Sequence, residues 1–417
     1  MRVLMLASYF PRPTNPIMGT WALSQAHALQ RQGVDVVVVS FNSWVPRALA
    51  VTKGAARYAL CPLSYQWDHL PVFYPRWLSY SAGPLRAVQL RYPEIPARIA
   101  WVSAKGFLHE TIQRFQPDLV YAHHSATNGY LAWRLKQSRG LPYVVTDHDF
   151  WEISSCAAFP SRRRYYSRIV REAATVVAVA ARMERELLSL FPGIVTQTVH
   201  NGADRIPASI EATPRPAALA GRLVLFSCAA FYERKGLPVL VEAFARIAGR
   251  FPDSLLRIAG DGPERPRIEA CIDRYRLNDR IQLLGAVPHE TVLQEMCWSD
   301  AFVLLGWDEP FGVVFAEALA AAKPILCCND GGINDVLQNG KTALTVPPKN
   351  PDAAAQAMAA LLQDSNLRRE IGMAGHRLFE ASLTWDRNAE QMQRIFAEAL
   401  KTTHARVRGR SKPHELS

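Results

Sequence analysis

The sequence predicts an α/β protein made of two doubly wound, Rossmann-like domains that face each other across a cleft. Three observations carry that prediction. The chain has 417 residues, more than one hydrophobic core usually organises. Its short apolar runs, such as residues 34–40, are nearly continuous and suit parallel strands covered on both faces. The strand–helix alternation also halts at a Pro-rich stretch and then restarts.

Residues 3–7 form the first apolar run. It is short and leads into Pro11 with no small-residue cleavage site, so it reads as a buried strand and not as a signal peptide. Trp21, Leu23, Ala26, Ala28 and Leu29 recur at helical spacing over Thr20–Arg31, and Gly33 ends that helix. Strands follow at 34–40, 118–122, 142–146 and 175–179, with a helix near 129–138. Residues 44–98 interrupt the pattern as an irregular aromatic and basic insert that includes Trp67, Trp77 and Pro84. Residues 207–221, with Pro207, Pro214 and Pro216, read as the linker. Beyond it strands are expected at 223–227, 255–260, 281–285, 301–305 and 324–327. The resulting division is an N-terminal domain at 1–206 and a C-terminal domain at 222–385. A terminal helix at 386–401 crosses back to the first domain, and a flexible tail fills 402–417. In such a pair the ligand site is expected in the cleft, at the carboxyl ends of the strands.

Composition limits the function classes. With 49% apolar and 20% charged residues, the chain is neither disordered nor fibrous. No run reaches the roughly 18 apolar residues of a membrane helix, so a cytoplasmic protein is expected. Seven cysteines without a C-x-x-C pair point to reduced thiols. The charge is unevenly placed: residues 1–210 hold 23 Lys and Arg against 12 Asp and Glu, and residues 211–417 hold 25 against 25. A basic half beside a neutral one suggests an anionic partner, either an acidic acceptor or the inner face of the plasma membrane. Aromatic residues in the insert would suit a bilayer interface. No nucleic-acid motif accompanies the basic residues.

The strongest local pattern is Glu309-Pro310-Phe311-Gly312-Val313-Val314-Phe315-Ala316-Glu317. It follows an apolar strand and opens an Ala-rich helix. A glycine at such a turn lets backbone N–H groups approach a phosphate, and the helix N-terminus favours negative charge. Glu317, two turns into the helix, can meet ribose hydroxyls, and Glu309 is placed to meet a sugar. Residues 8–20 lack the G-x-G-x-x-G of a dinucleotide-binding oxidoreductase.

This segment resembles the E-x(7)-E signature of the family 4 retaining glycosyltransferases, which have the GT-B fold. Further motifs match in order. Phe231-Tyr232-Glu233-Arg234-Lys235-Gly236 is similar to the family's K-G loop, and Gly260-Asp261-Gly262-Pro263 to its G-x-G-P turn. The segment from Ile281 to Val287 resembles the one whose backbone reads the nucleobase. Gly331-Gly332, Val346-Pro347-Pro348 and Asn201-Gly202-Ala203-Asp204 also fall in place. The resemblance implies a hexosyltransferase that uses a UDP- or GDP-sugar donor, a glycan or lipid-linked acceptor, and no metal or other cofactor. Such enzymes serve exopolysaccharide, lipopolysaccharide and other surface-glycan synthesis. It implies donor contacts from Gly19, Arg234, Lys235, Gly260, Val287, Glu309, Phe311, Gly312 and Glu317, with Lys235 neutralising the leaving diphosphate. It places His123 near the anomeric carbon, leaving open whether His124 takes that place, and His148 and Asp149 on the acceptor side. Ala229-Ala230-Phe231 stands where relatives often have Gly-Arg-Leu, so one diphosphate-binding arginine is missing and Arg234 is its candidate substitute. The alternative reading is a non-catalytic relative of the same fold that binds a polyanion or a membrane.

Overall fold

The computed structural model describes the backbone at residues 1–78 and 91–410, with side chains as far as Thr402. The rest of the insert, 79–90, and the end of the tail, 411–417, lie outside the described residues. The chain divides into two compact units: Met1–His200 with Asn388–Ser417, and Asn201–Arg387.

The first unit is built on an eight-stranded sheet. Its strands are β1 (Arg2–Leu6), β2 (Asp35–Val39), β4 (Ser64–Trp67), β5 (Leu70–Phe73), β7 (Leu119–His123), β8 (Tyr143–Asp147), β9 (Thr175–Ala178) and β10 (Thr196–Thr198). A short ribbon pairs β3 (Asn42–Ser43) with β6 (Arg76–Trp77). The sheet order is β10-β9-β8-β7-β1-β2-β5-β4. All neighbours run parallel except β4 and β5. The centre is apolar on both faces, as Val3, Leu4, Val36, Val38, Val120 and Val144 are all buried, which is why these runs do not alternate.

The insert is more ordered than its composition suggests. It adds β5 beside β2 and β4 at the sheet edge, plus the helix Lys53–Ala59. Pro71 has no N–H to donate, and the β2–β5 register begins only at Val72. Of its aromatic residues Tyr74 and Trp77 are buried, Trp67 is half-buried, and Trp44 and Tyr65 are exposed. Trp77 stacks on Phe41 at 4.7 Å, and Trp67 Nε1 donates to Tyr74 Oη at 2.8 Å.

The helix Trp385–Arg410 extends past the expected end at Lys401. Ala389, Met392, Phe396 and Ala399 share its buried stripe. Asn388 joins this helix to the first unit, accepting from Gln25 Nε2 at 2.7 Å and donating to the His200 carbonyl at 2.8 Å.

The second unit carries a wholly parallel six-stranded sheet. Its strands are β11 (Leu223–Cys228), β12 (Ser254–Ala259), β13 (Ile281–Gly285), β14 (Ala301–Leu304), β15 (Ile325–Cys328) and β16 (Leu344–Val346). They lie in the order β13-β12-β11-β14-β15-β16. The helices Leu237–Ala248, Arg265–Arg274, His289–Trp298, Val313–Ala320, Pro351–Gln363 and Ser365–Leu378 connect or follow them. The unit begins at Asn201, and the stretch expected to be a linker belongs to it. Residues 207–221 bury Ile210 and Leu219, and the Thr213 carbonyl accepts from Trp298 Nε1 at 3.1 Å. Apolar side chains within the Pro-rich run anchor it to the unit.

Charge separates the units more sharply than the halves of the sequence. The first holds 28 Lys and Arg against 14 Asp and Glu, and the second 20 against 23. Among the described residues no helix is long and apolar enough to cross a membrane.

Candidate functional site

In the second unit the loops that follow β11, β12, β13, β14 and β15 converge at the carboxyl edge of the sheet. The loop after β11 holds a 3₁₀ turn at Glu233–Lys235, and its Arg234 carbonyl accepts from Trp307 N in the loop after β14 at 2.8 Å. This backbone tie brings Lys235 to Glu309. Lys235 Nζ lies 2.5 Å and Arg234 Nη1 3.2 Å from Glu309 Oε2. Glu309 is only 11% exposed at its side chain and Lys235 14%, so water screens the pair little. The Glu309 carbonyl also accepts from Gly332 N at 2.9 Å, fixing the loop against the Gly331-Gly332 pair. Two residues expected to serve the diphosphate and the sugar separately are therefore ion-paired to each other.

Gly312 is the N-cap of Val313–Ala320, and Phe311 is buried in the core. Gly260 follows β12 with φ +131°, and a Cβ there would sit 1.8 Å from the Ala229 carbonyl oxygen. The close approach of two loops is thus what requires glycine at this position. Gly260 N donates to the Gly285 carbonyl at 2.8 Å, which ties the turn to the segment carrying half-buried Val287.

Glu317 accepts from or shares a proton with His289 Nε2 at 2.8 Å. Nothing in the sequence motif pointed to His289. It begins a helix that is distant in sequence, and only the fold places it opposite Glu317. Cys228, at the end of β11, was read as an ordinary thiol. Burial pushes it up to about 12, the Glu317 carboxylate adding to this and Lys235 opposing it. All three groups thus share one neighbourhood.

The hydrogen bond to Glu317 raises the pKa of His289 against the opposing effect of burial, with the charges of Glu317 and Asp204 also raising it. A histidine with a raised folded-state pKa stabilises fully below the unfolded value of about 6.5 and loses that contribution as pH climbs through the raised value. The melting temperature of wild type should therefore exceed that of His289→Gln by most near pH 6, and the gap should narrow toward pH 8.5. Thermal melts across that range test this, and a constant gap would refute it.

In the first unit His123, His124 and His148 cluster at the carboxyl ends of β7 and β8. His148 Nε2 lies 3.0 Å from His123 Nδ1, and the rings stack at 5.0 Å. Trp21 packs against both, at 5.2 Å from His123 and 4.2 Å from His148. Burial, then neighbouring imidazoles, lowers the pKa of both far below the ordinary value. Both rings are neutral at neutral pH, so one donates and the other accepts. His123 is fully buried, and its Nε2 has no protein partner among the described residues. His124 takes φ +69° and places its ring 5.3 Å from Tyr9. Below them Asp147 accepts from Ser125 N and Oγ, each at 2.8 Å, and from Tyr166 Oη. Burial raises Asp147 to about 6 and Glu152 to about 7, the charge of Glu152 adding to the first and that of Asp149 to the second.

Asp149 caps the helix Phe150–Ala158, accepting from Trp151 N at 2.9 Å. Gly19 opens Thr20–Arg31 with φ +74°, and a Cβ there would lie 2.4 Å from the Tyr9 carbonyl. Here the chain's own backbone, at Tyr9 and Phe10, already accounts for the glycine.

Comparison with known proteins agrees with this architecture. Residues 18–205 match the family model described as Glycosyltransferase Family 4, and residues 210–377 match Glycosyl transferases group 1. The glycogen synthase of Mycobacterium tuberculosis is 26% identical, over 96% of this chain and 95% of its own. The D-inositol 3-phosphate glycosyltransferase of Corynebacterium glutamicum is also 26% identical, over 96% and 97%. In structure, HepE of Anabaena, solved with UDP and glucose, superposes with a TM-score of 0.70 at 18% identity, over 95% of this chain and 99% of that one. With the two family models matching in order along its two Rossmann-like units, the chain belongs to the family 4 and group 1 glycosyltransferases and has their GT-B fold.

Proposed function

We propose that this glycosyltransferase moves a hexosyl group, with retention of anomeric configuration, from a UDP- or GDP-sugar to a hydroxyl of a glycan or lipid-linked acceptor. The observation that carries the reading is the Lys235–Glu309–Arg234 group at the mouth of the helix Val313–Ala320. An ammonium has three donors. With one held by Glu309, two remain for phosphate oxygens, and the position is fixed before the donor arrives. As the anomeric C–O bond breaks, the diphosphate leaves with the electron pair. Lys235, Arg234 and the N–H groups near Gly312 take up that charge. The acceptor oxygen attaches on the same face, and its proton passes to the leaving phosphate. Glu309 would hold the sugar, and Glu317, oriented by His289, the ribose. The backbone around Gly260 and Val287 would frame the base. We assign this charge neutralisation to protein groups and not to a metal ion. In the first unit Gly19, His123, His148 and Asp149 are assigned to the sugar and acceptor.

The names of relatives do not select the acceptor, since two at equal identity are named for different ones. The donor is open to direct test. A ligand at a hundred times its Kd stabilises by about 2.7 kcal/mol. One of a panel of UDP-, GDP- and ADP-sugars should raise the melting temperature of wild type and not of Glu317→Ala. If none does so for wild type, the non-catalytic reading replaces this one. The anomer of the first product, read by NMR, tests retention.

A further inference from the structure

The first unit carries an apolar stripe that no part of the proposed chemistry uses. On the helix Glu94–Phe115, Ile95, Ile99 and Val102 are 51%, 46% and 65% exposed. Their spacing puts them on one face, opposite the buried Ala97, Ala100, Trp101 and Ala104. Tyr92 precedes the stripe and is 50% exposed. Leu78, also exposed, joins it through Leu78 N, which donates to Ser103 Oγ at 3.3 Å. Burying large aliphatic side chains is favourable, and a contiguous exposed row of them marks a contact surface.

The flanks of this row are cationic. Arg91, Arg98 and Lys105 lie along the same stretch and are exposed. The helix Pro160–Glu172 runs alongside: Ser161 Oγ donates to the Arg91 carbonyl at 2.6 Å, and Arg168 Nη1 reaches Glu94 Oε1 at 2.8 Å. Arg164 lies between Ser161 and Arg168 at helical spacing, so it shares their side. The acid within this face, Glu94, is already neutralised by Arg98 at 2.9 Å and Arg168. The unit as a whole holds twice as many basic as acidic residues.

We infer that this face, Ile95, Ile99 and Val102 bordered by Arg98, Lys105 and Arg164, docks the protein on an anionic lipid bilayer. The aliphatic row enters the headgroup–acyl boundary, and the arginines and lysine meet lipid phosphates. A polyanion would use the charges and leave the row in water, so the apolar row favours a bilayer. The row starts at the end of the 44–98 insert and continues past it, and the insert's Tyr74 and Trp77 are buried and take no part. The inference does not depend on the donor assignment, and binding is measured without donor.

The test is sedimentation of the full chain with phosphatidylcholine vesicles, with and without phosphatidylglycerol, at low salt. Wild type should bind the anionic vesicles and leave the neutral ones. Ile95→Ser/Ile99→Ser/Val102→Ser should weaken that binding on the order of a hundredfold. Lys105→Glu/Arg164→Glu should weaken it by about tenfold or more. Both variants change exposed side chains, so unchanged melting temperatures certify the fold. Failure of wild type to bind overturns the inference. So does unaltered binding by the triple serine variant, which would leave a purely electrostatic polyanion surface. If the triple variant instead turns a wild-type dimer into a monomer in light scattering without vesicles, a second copy occupies the face and the inference also falls.

Discussion

Lys235→Ala should lower kcat by about 10²–10³-fold, the effect of removing one charge-stabilising donor from a preorganised site. Lys235 is held 2.5 Å from Glu309, so its position is set by the protein. The loss should fall on kcat more than on KM, because the diphosphate charge grows as the bond breaks. The same substitution leaves Glu309 nearly buried with Arg234 as its ion-pair partner among the described residues, at 3.2 Å. Stability should therefore fall by about 1–3 kcal/mol, less than for a fully orphaned charge. Adding Glu309→Gln to Lys235→Ala separates the two effects. The double variant should regain much of the stability in urea denaturation and none of the rate. If it regained rate, Lys235 would be a structural ion-pair partner and no more.

Gly260→Ala should be the most damaging single methyl addition in the second unit. The backbone there has φ +131°, and the new Cβ would come within 1.8 Å of the Ala229 carbonyl oxygen and 2.9 Å of the Phe231 ring. Backbone strain alone costs on the order of 1–3 kcal/mol, and the clash must also push apart the loops after β11 and β12. Gly285 is the matched control: it too has positive φ, at +73°, but a Cβ would meet nothing within 4 Å. Gly285→Ala should cost only about 1–2 kcal/mol of conformational preference. Urea midpoints for the pair decide the matter. Equal losses would mean that the loop approach is not what demands glycine.

Much of this architecture was legible beforehand, for identifiable reasons. The helix Thr20–Arg31 falls where apolar spacing and Gly33 place it. The buried parallel strands announce themselves as unbroken Val, Leu and Ile. The insert was less readable, because Pro71 and the scattered aromatic residues hide a short strand whose partner is β2. Residues 207–221 misled because proline signals a turn, whereas attachment to a unit depends on two apolar side chains, Ile210 and Leu219. At the site, Glu309, Glu317 and Lys235 were visible through motif context. The Lys235–Glu309 contact was not, since ion pairing between separate loops leaves no periodic trace. His289 and the His123–His148 pair illustrate the same limit. Each depends on elements brought together only by the sheet.

The return of the last helix to the first unit bears on how the protein is made. A ribosome releases residues 1–200 first, yet the Phe396 ring that packs 5.2 Å from Tyr121 and the Asn388 that bonds Gln25 emerge only after the whole second unit. Chains grow at about 5–20 residues per second, so the first sheet waits for many seconds with the seat of that helix uncovered. Its final packing follows synthesis of the whole second unit, and the nascent first unit is the stage at which a chaperone would have most to shield.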